Sequence, residues 1–191
     1  MTTLAKQVAA SADDAWQNAA GTVAITGNDI GGLSGANFWA GWRFQNVTID
    51  QGQVLDSAIF EGYVYDTGED NVYGNFHCED VDDATAFAAS SNNISSRTLT
   101  TAYTAVGVNN VGVGWYAIDI TTACQEVIDR GGWASGNAMN VIMDCLLNVL
   151  LRFRQYDYSD GSSAAKLTFT YTAAGGASFV LTRRARTNIR M

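Results

Sequence analysis

The feature that most constrains the fold of this chain is a short-range alternation of side chains. In residues 54–65, Ala58, Phe60, Gly62 and Val64 oppose Ile59, Glu61, Tyr63 and Tyr65. In residues 71–79, Val72, Gly74, Phe76 and Cys78 oppose Tyr73, Asn75, His77 and Glu79. Successive side chains of an extended strand point to opposite faces, so a period of two marks a strand with one buried face. Residues 36–49 repeat the pattern in their middle, where Ala40, Trp42 and Phe44 face one way and Arg43 and Gln45 the other. Further strands are predicted at 6–11, 21–26, 103–106, 113–118, 139–144, 148–155, 165–172 and 178–182. Between these runs stand clusters of Gly, Asn, Asp and Ser. The chain has 19 glycines and no proline, so its turns must come from residues that tolerate positive φ or hydrogen-bond their own backbone. Many short strands with such punctuation predict an all-β fold: two antiparallel sheets packed as a jelly-roll-like β-sandwich.

One short helix interrupts the pattern. Thr121 or Thr122 can cap it, Glu126 sits near its start, and Arg130 precedes the stop signal Gly131-Gly132. Val127 and Ile128 are expected to face the core, with Gln125 and Asp129 outside. The stretch from Leu4 to Ala20 fits two patterns: a helix with Leu4, Val8 and Ala12 on one stripe, or a strand followed by a loop. A chain of 191 residues fits one domain, and 47% hydrophobic residues with 21 aromatics can offset the entropy of ordering it. The five tryptophans are more than a lean core needs. Most should lie between the sheets, with one or two lining a partner surface. The densest apolar stretch, Met139 to Leu151, contains Asp144 and Asn148 and is shorter than the ~20 residues a membrane span requires.

Charge is unevenly placed. Residues 1–182 carry 7 basic and 19 acidic side chains, a net −12, whereas the last nine residues carry four arginines and no acid. The charge marks out a basic C-terminal tail; the sandwich itself is assigned to residues 8–173, the span over which the chain resembles a known module, flanked by an N-terminal arm, 1–7, and a basic and apolar C-terminal arm, 174–191. In the latter, Phe179, Leu181, Arg183, Arg184, Arg186 and Arg190 combine apolar anchors with cations, a composition suited to lying on another protein. The acidic body would repel phosphates, which disfavours nucleic acid. The N-terminus lacks the apolar core of a signal peptide, so the expectation is synthesis in a cytoplasm without export by that route.

Candidate chemistry is sparse. His77 is the sole histidine, and its neighbour Cys78 points to the opposite strand face, so no Cys-His or Ser-His-Asp arrangement is evident. Cys78, Cys124 and Cys145 fit no zinc spacing and read as buried, inert thiols. The densest acidic cluster is Glu79, Asp80, Asp82 and Asp83, preceded by Glu69-Asp70. Carboxylates so spaced can gather around calcium, a weak metal candidate, with Asp13-Asp14 and Asp157–Asp160 as fainter versions. No other cofactor is expected. Tyr63, Tyr65, Tyr73 and Trp39 could stack on a sugar, and core packing explains them as well.

The ordered set Trp42-Arg43-Phe44-Gln45-Asn46-Val47-Thr48-Ile49 with Gly52 and Ala58, Asn93 to Thr98, Asp119-Ile120-Thr121, Gln125 to Ile128, Arg130 to Met139, and Tyr158 to Leu167 resembles the DNRLRE-type β-sandwich module. That module recurs in large bacterial and archaeal surface proteins and is similar to carbohydrate-binding jelly rolls. The resemblance spans roughly residues 8–173. It implies a spacer, adhesive or carbohydrate-binding role without enzymatic activity. Lys166 stands where the pattern has a proline, and the segment 146–154 is more apolar than the pattern.

Two functional expectations follow. The first is a non-enzymatic structural protein of a virus particle, of the bacteriophage kind. It would be a decoration or tail-surface protein docked through its arms to other capsid or tail proteins, self-associating into a homo-oligomer and located on the virion. The second is a carbohydrate-binding or adhesive module of a bacterial surface protein; a host glycan is compatible with both. Neither reading involves a membrane.

Overall fold

The computed structural model describes residues 1–31, 38–65, 72–108, 111–145 and 152–172. Within them the chain forms β1 (Thr2–Gln7), β2 (Asp14–Gln17), β3 (Val23–Ala24), β4 (Asp29–Gly31), β5 (Phe38–Phe44), β6 (Leu55–Val64), β7 (Val72–Cys78), β8 (Thr104–Val108) and β9 (Gly114–Asp119). The helix α1 (Thr121–Ile128) follows, then β10 (Met139–Cys145), β11 (Arg152–Arg154) and β12 (Lys166–Tyr171). These make two antiparallel sheets, as the alternation predicts. Sheet I has the order β1-β12-β6-β11-β4, with β9 also paired to β6; sheet II runs β3-β2-β5-β10-β7-β8.

The inner faces meet on an aromatic centre. Trp42 on β5, Phe60 on β6, Phe76 on β7 and Phe153 on β11 are fully buried. Trp42 lies 4.7, 6.1 and 5.9 Å from the Phe60, Phe76 and Phe153 rings. Around them pack Phe44, Met139, Val141, Met143, Leu167 and Phe169, each from an alternating position of its strand. At ~1.5–3 kcal/mol for each large side chain removed from water, this layer is the principal source of stability. Truncating Phe60 would leave a void where four rings converge.

The segment between β7 and β8 folds over the outer face of sheet II. Phe87 and Ile94 from this cover join Ala15, Val23 and Ile142 in a second apolar cluster. Gly41 is what lets the cover sit close: a Cβ there would meet the Phe87 ring at 2.4 Å.

Three local expectations are revised. Residues 1–7, assigned to an arm, form β1, paired residue by residue with β12 from Thr2↔Tyr171 to Gln7↔Lys166. The strand predicted at 6–11 ends at Gln7, because a 3-10 turn at Ser11–Asp13 breaks it. Leu4 to Ala20 is thus strand, turn and strand rather than helix. The helix is not capped by its own threonines: the Asp119 carboxylate accepts both the Thr121 N–H (2.9 Å) and the Thr121 hydroxyl (2.5 Å). Ala123, Cys124, Val127 and Ile128 face the core. The predicted strand at 178–182 lies outside the described residues.

Candidate functional site

The acidic run beside β7 is the densest cluster of chemistry-bearing residues. Each carboxylate there is partnered. Glu79 accepts the Arg97 guanidinium at 2.7 Å and the Asn140 amide at 2.7 Å. Arg97 also donates to the main-chain oxygens of Asn93, Thr85 and Ala86 and lies 4.6 Å over the Phe87 ring. Arg130, just past α1, takes Asp82 at 2.7 Å and pairs with Asp80. Asp83 accepts the Ala138 N–H at 2.8 Å. Gly132 leaves room for the Asp82 carboxylate, which a Cβ there would strike.

These four carboxylates, the weak calcium candidate, are therefore dispersed over two arginines, an amide and a backbone N–H. Their arrangement fastens the cover and the helix end onto sheet II. Among the described residues, no group of three or more His, Cys, Asp or Glu side chains is placed to hold a metal ion. Glu69 and Asp70 lie outside the described residues.

His77 is buried. Its Nδ1 is 2.9 Å from the Thr100 carbonyl, its Nε2 is 4.0 Å from Asp144, and its ring lies 5.0 Å from Tyr103. Burial raises the Asp144 carboxyl above the usual carboxylate range, against the pull of the Asn75 N–H. Among the described residues, the His77 ring makes no hydrogen bond to a hydroxyl or thiol. Cys78 points the other way, into the core, with its Sγ 3.7 Å from that of Cys124. Burial, and the neighbouring thiol, push Cys124 well above the ordinary thiol range, and all three cysteines are buried. A shallow, open depression of about 500 Å³ lies between the cover and α1, lined by Asp80, Thr122, Gln125, Glu126, Asp129 and Arg130.

The sugar-stacking candidates are separated by the fold. Tyr63 and Tyr65 lie on the outer face of sheet I, Tyr73 is on β7, and Trp39 packs beneath the cover. On the outer face of sheet I, Tyr63 and Tyr65 are joined by Trp115, Lys166, Arg154 and Tyr158, which nothing in the sequence links to them. Trp115, 38% exposed, meets Tyr63 edge-on at 5.3 Å and carries the Lys166 ammonium 3.6 Å above its ring. Alongside, the Arg154 guanidinium is held between Tyr65 and Tyr158, 3.7 Å from each, and bonds Asp29 at 2.6 Å. Cross-strand pairing explains the grouping, since Tyr63↔Trp115 and Glu61↔Lys166 are register partners. Periodicity placed Tyr63 and Tyr65 on one face, but not the strands beside them.

The docking candidates Phe179, Leu181, Arg183, Arg184, Arg186 and Arg190 lie outside the described residues. The segment that carries them follows β12, whose last residue, Tyr171, pairs with Thr2. No helix among the described residues is long and apolar enough to cross a membrane. Comparison with protein-family models and with curated proteins finds no match for this chain.

Proposed function

We propose that this chain is a non-enzymatic structural protein of a virus particle, of the bacteriophage kind. Its β-sandwich is presented on the surface and its basic, apolar C-terminal segment docks on neighbouring capsid or tail proteins. The observation that carries this reading is the pairing of β1 with β12. Among the described residues it makes β1 an outer edge of sheet I and brings the start of β1 beside the end of β12, the strand that the segment carrying four arginines follows in the sequence. A basic segment on a net-acidic body suits docking on an acidic surface. The polar clusters of sheet II support a rigid framework, and the edge of β1, which pairs with no other strand among the described residues, offers a route to self-association.

The test is mass spectrometry of density-banded particles from a lysate. The chain should appear in fixed ratio to a major capsid or tail protein, and deletion of 179–191 should release it from particles while its β-sheet circular dichroism is retained. Absence from particles, or attachment that survives the deletion, overturns the reading.

A second reading, an adhesive module for glycans, is favoured by the aromatic set around Trp115. Aromatic faces exposed on a rigid sheet are surfaces on which sugar rings can stack. That reading predicts retention on a polysaccharide column, lost in Trp115→Ala; passage of the wild type unretarded would remove it.

A further inference from the structure

The two fainter acidic pairs of the sequence, at 13–14 and 157–160, meet at one corner of the sandwich. Asp14, on sheet II, is completely buried. Its Oδ2 accepts the Tyr156 N–H at 2.8 Å, just beyond β11 of sheet I. Its Oδ1 has only the Gln155 amide nitrogen, at 3.4 Å, the long limit of a hydrogen bond. No lysine or arginine pairs with it among the described residues. Its neighbour Asp13 is fully served, by Arg43 at 2.9 Å and Gln45 at 2.6 Å.

Gln155 is completely buried as well, and its Oε1 has no hydrogen-bond partner among the described residues. That oxygen faces Gly27, where a Cβ would lie 3.0 Å from it; Gly27 also has φ +145°, a conformation that disfavours any side chain. The Gly27 N–H donates to Asp157 Oδ2 at 3.0 Å, and Asp157 Oδ1 receives the Ser11 hydroxyl at 2.5 Å. Three chain segments are thus pinned together: 11–14, 27–28 and 155–157. Within them sit a buried carboxylate without a cation, a buried amide oxygen without a donor, and a second carboxylate open to solvent. An uncompensated buried charge and an orphaned buried acceptor are each costly, and one positive ion between them relieves both.

We propose that this corner binds one calcium ion, with Asp14 and Gln155 as the buried ligands and Asp157 closing the site from the solvent side. Among the described residues the donors at this corner are oxygens, with no imidazole or thiolate, which selects a hard divalent cation over zinc. Calcium accepts six to eight oxygens in irregular geometry, so water and main-chain carbonyls complete its shell. Magnesium requires a near-ideal octahedron and gives up its water reluctantly. The ion ties the N-terminal segment of sheet II to the end of β11 in sheet I. It acts as a clasp between the sheets, independent of what the outer surfaces bind.

The test is calcium titration of the full chain after treatment with a chelator, followed by calorimetry, by thermal unfolding, and by native mass spectrometry for stoichiometry. One ion per chain is expected, with a rise in Tm of several degrees at saturation and a weaker response to magnesium. Asp14→Asn keeps an acceptor for the Tyr156 N–H, and Gln155→Met keeps volume; each should weaken calcium binding at least about tenfold, the usual result of deleting one ligand interaction of about 1.4 kcal/mol. If Asp14→Asn does not fold, Asp157→Asn, at the exposed end, serves in its place. No calcium-dependent shift in the wild type up to about 10 mM, beyond the weakest protein calcium sites, overturns the proposal. So does a shift that persists unchanged in Gln155→Met and Asp157→Asn.

Discussion

Two regions of this sandwich are rich in carboxylates, and they differ in how the charge is met. Beside β7, Glu79, Asp80, Asp82 and Asp83 stand close together in the sequence, and each ends on an arginine, an amide or a backbone N–H. At the corner between β2 and the end of β11, Asp14 is more deeply buried than any of them and has no cation among the described residues. Acid density in sequence is therefore a poor guide to where negative charge is unmet. A dense run in a covering loop recruits partners from the elements it covers. A single carboxylate turned inward at a sheet junction has only what the junction brings.

The strongest way to sharpen this contrast is to remove a partner from the satisfied region. Arg97 is almost completely enclosed and holds Glu79 together with three carbonyl oxygens of the cover. Arg97→Ala removes the cation from the part-buried Glu79 carboxylate, leaving it the Asn140 amide, and loosens the second apolar cluster. The expected loss is roughly 3–5 kcal/mol, which for a chain of this size lowers Tm by about 10 °C. Differential scanning calorimetry reads this directly. A loss no larger than that of a surface substitution would mean that the cover is held by Phe87 and Ile94 alone.

Arg130→Ala tests the more exposed half of the same region. Arg130, Asp80 and Asp82 are all partly solvated, so about 1 kcal/mol or less is expected, and it should shrink further in high salt. Urea unfolding at two ionic strengths measures it. An effect as large as that of Arg97→Ala would contradict the ranking by burial.

Much of the sandwich was legible because burial of one strand face imposes a period of two. The strands around Phe60, Phe76 and Trp42, and the helix ahead of Gly131-Gly132, stand where that pattern puts them. The short strands β2 and β4 were not legible: four and three residues are too few to display a period, and β4 lies on a partner strand far along the chain. The N-terminal strand fell on the wrong residues for a similar reason. Thr2 to Gln7 is mostly polar and gains its conformation from the β12 ladder, at the far end of the described chain.

The sites were less legible than the fold. The acids at 79–83 were visible, but Arg130 reaches them across 48 and 50 positions. The Asp14–Gln155 contact spans 141 positions, and nothing local to Gln155 signals that its amide oxygen is buried and unpartnered. The Trp115–Tyr63–Lys166 group likewise depends on which strands flank β6.

The most direct test of the unmet charge at the corner is stability against pH in the presence of a chelator. Burial first, then the nearby Asp157 and Asp13, raises the Asp14 carboxyl to about 7 from 3.8, with the Tyr156 N–H and the Gln155 amide pulling against them. The folded state then holds a proton that the unfolded chain has released. The contribution of Asp14 is fully present below about pH 4 and is lost as pH rises toward 7, by about 4 kcal/mol at ~1.4 kcal/mol per tenfold difference in proton affinity. Urea unfolding of the wild type and Asp14→Asn between pH 4 and 8 separates this group from the other acids. The account predicts that the wild type loses stability relative to the variant as pH rises, with the steepest change between pH 4 and 7. A difference between the two that is constant with pH, or that favours the wild type more at pH 8 than at pH 4, would contradict it.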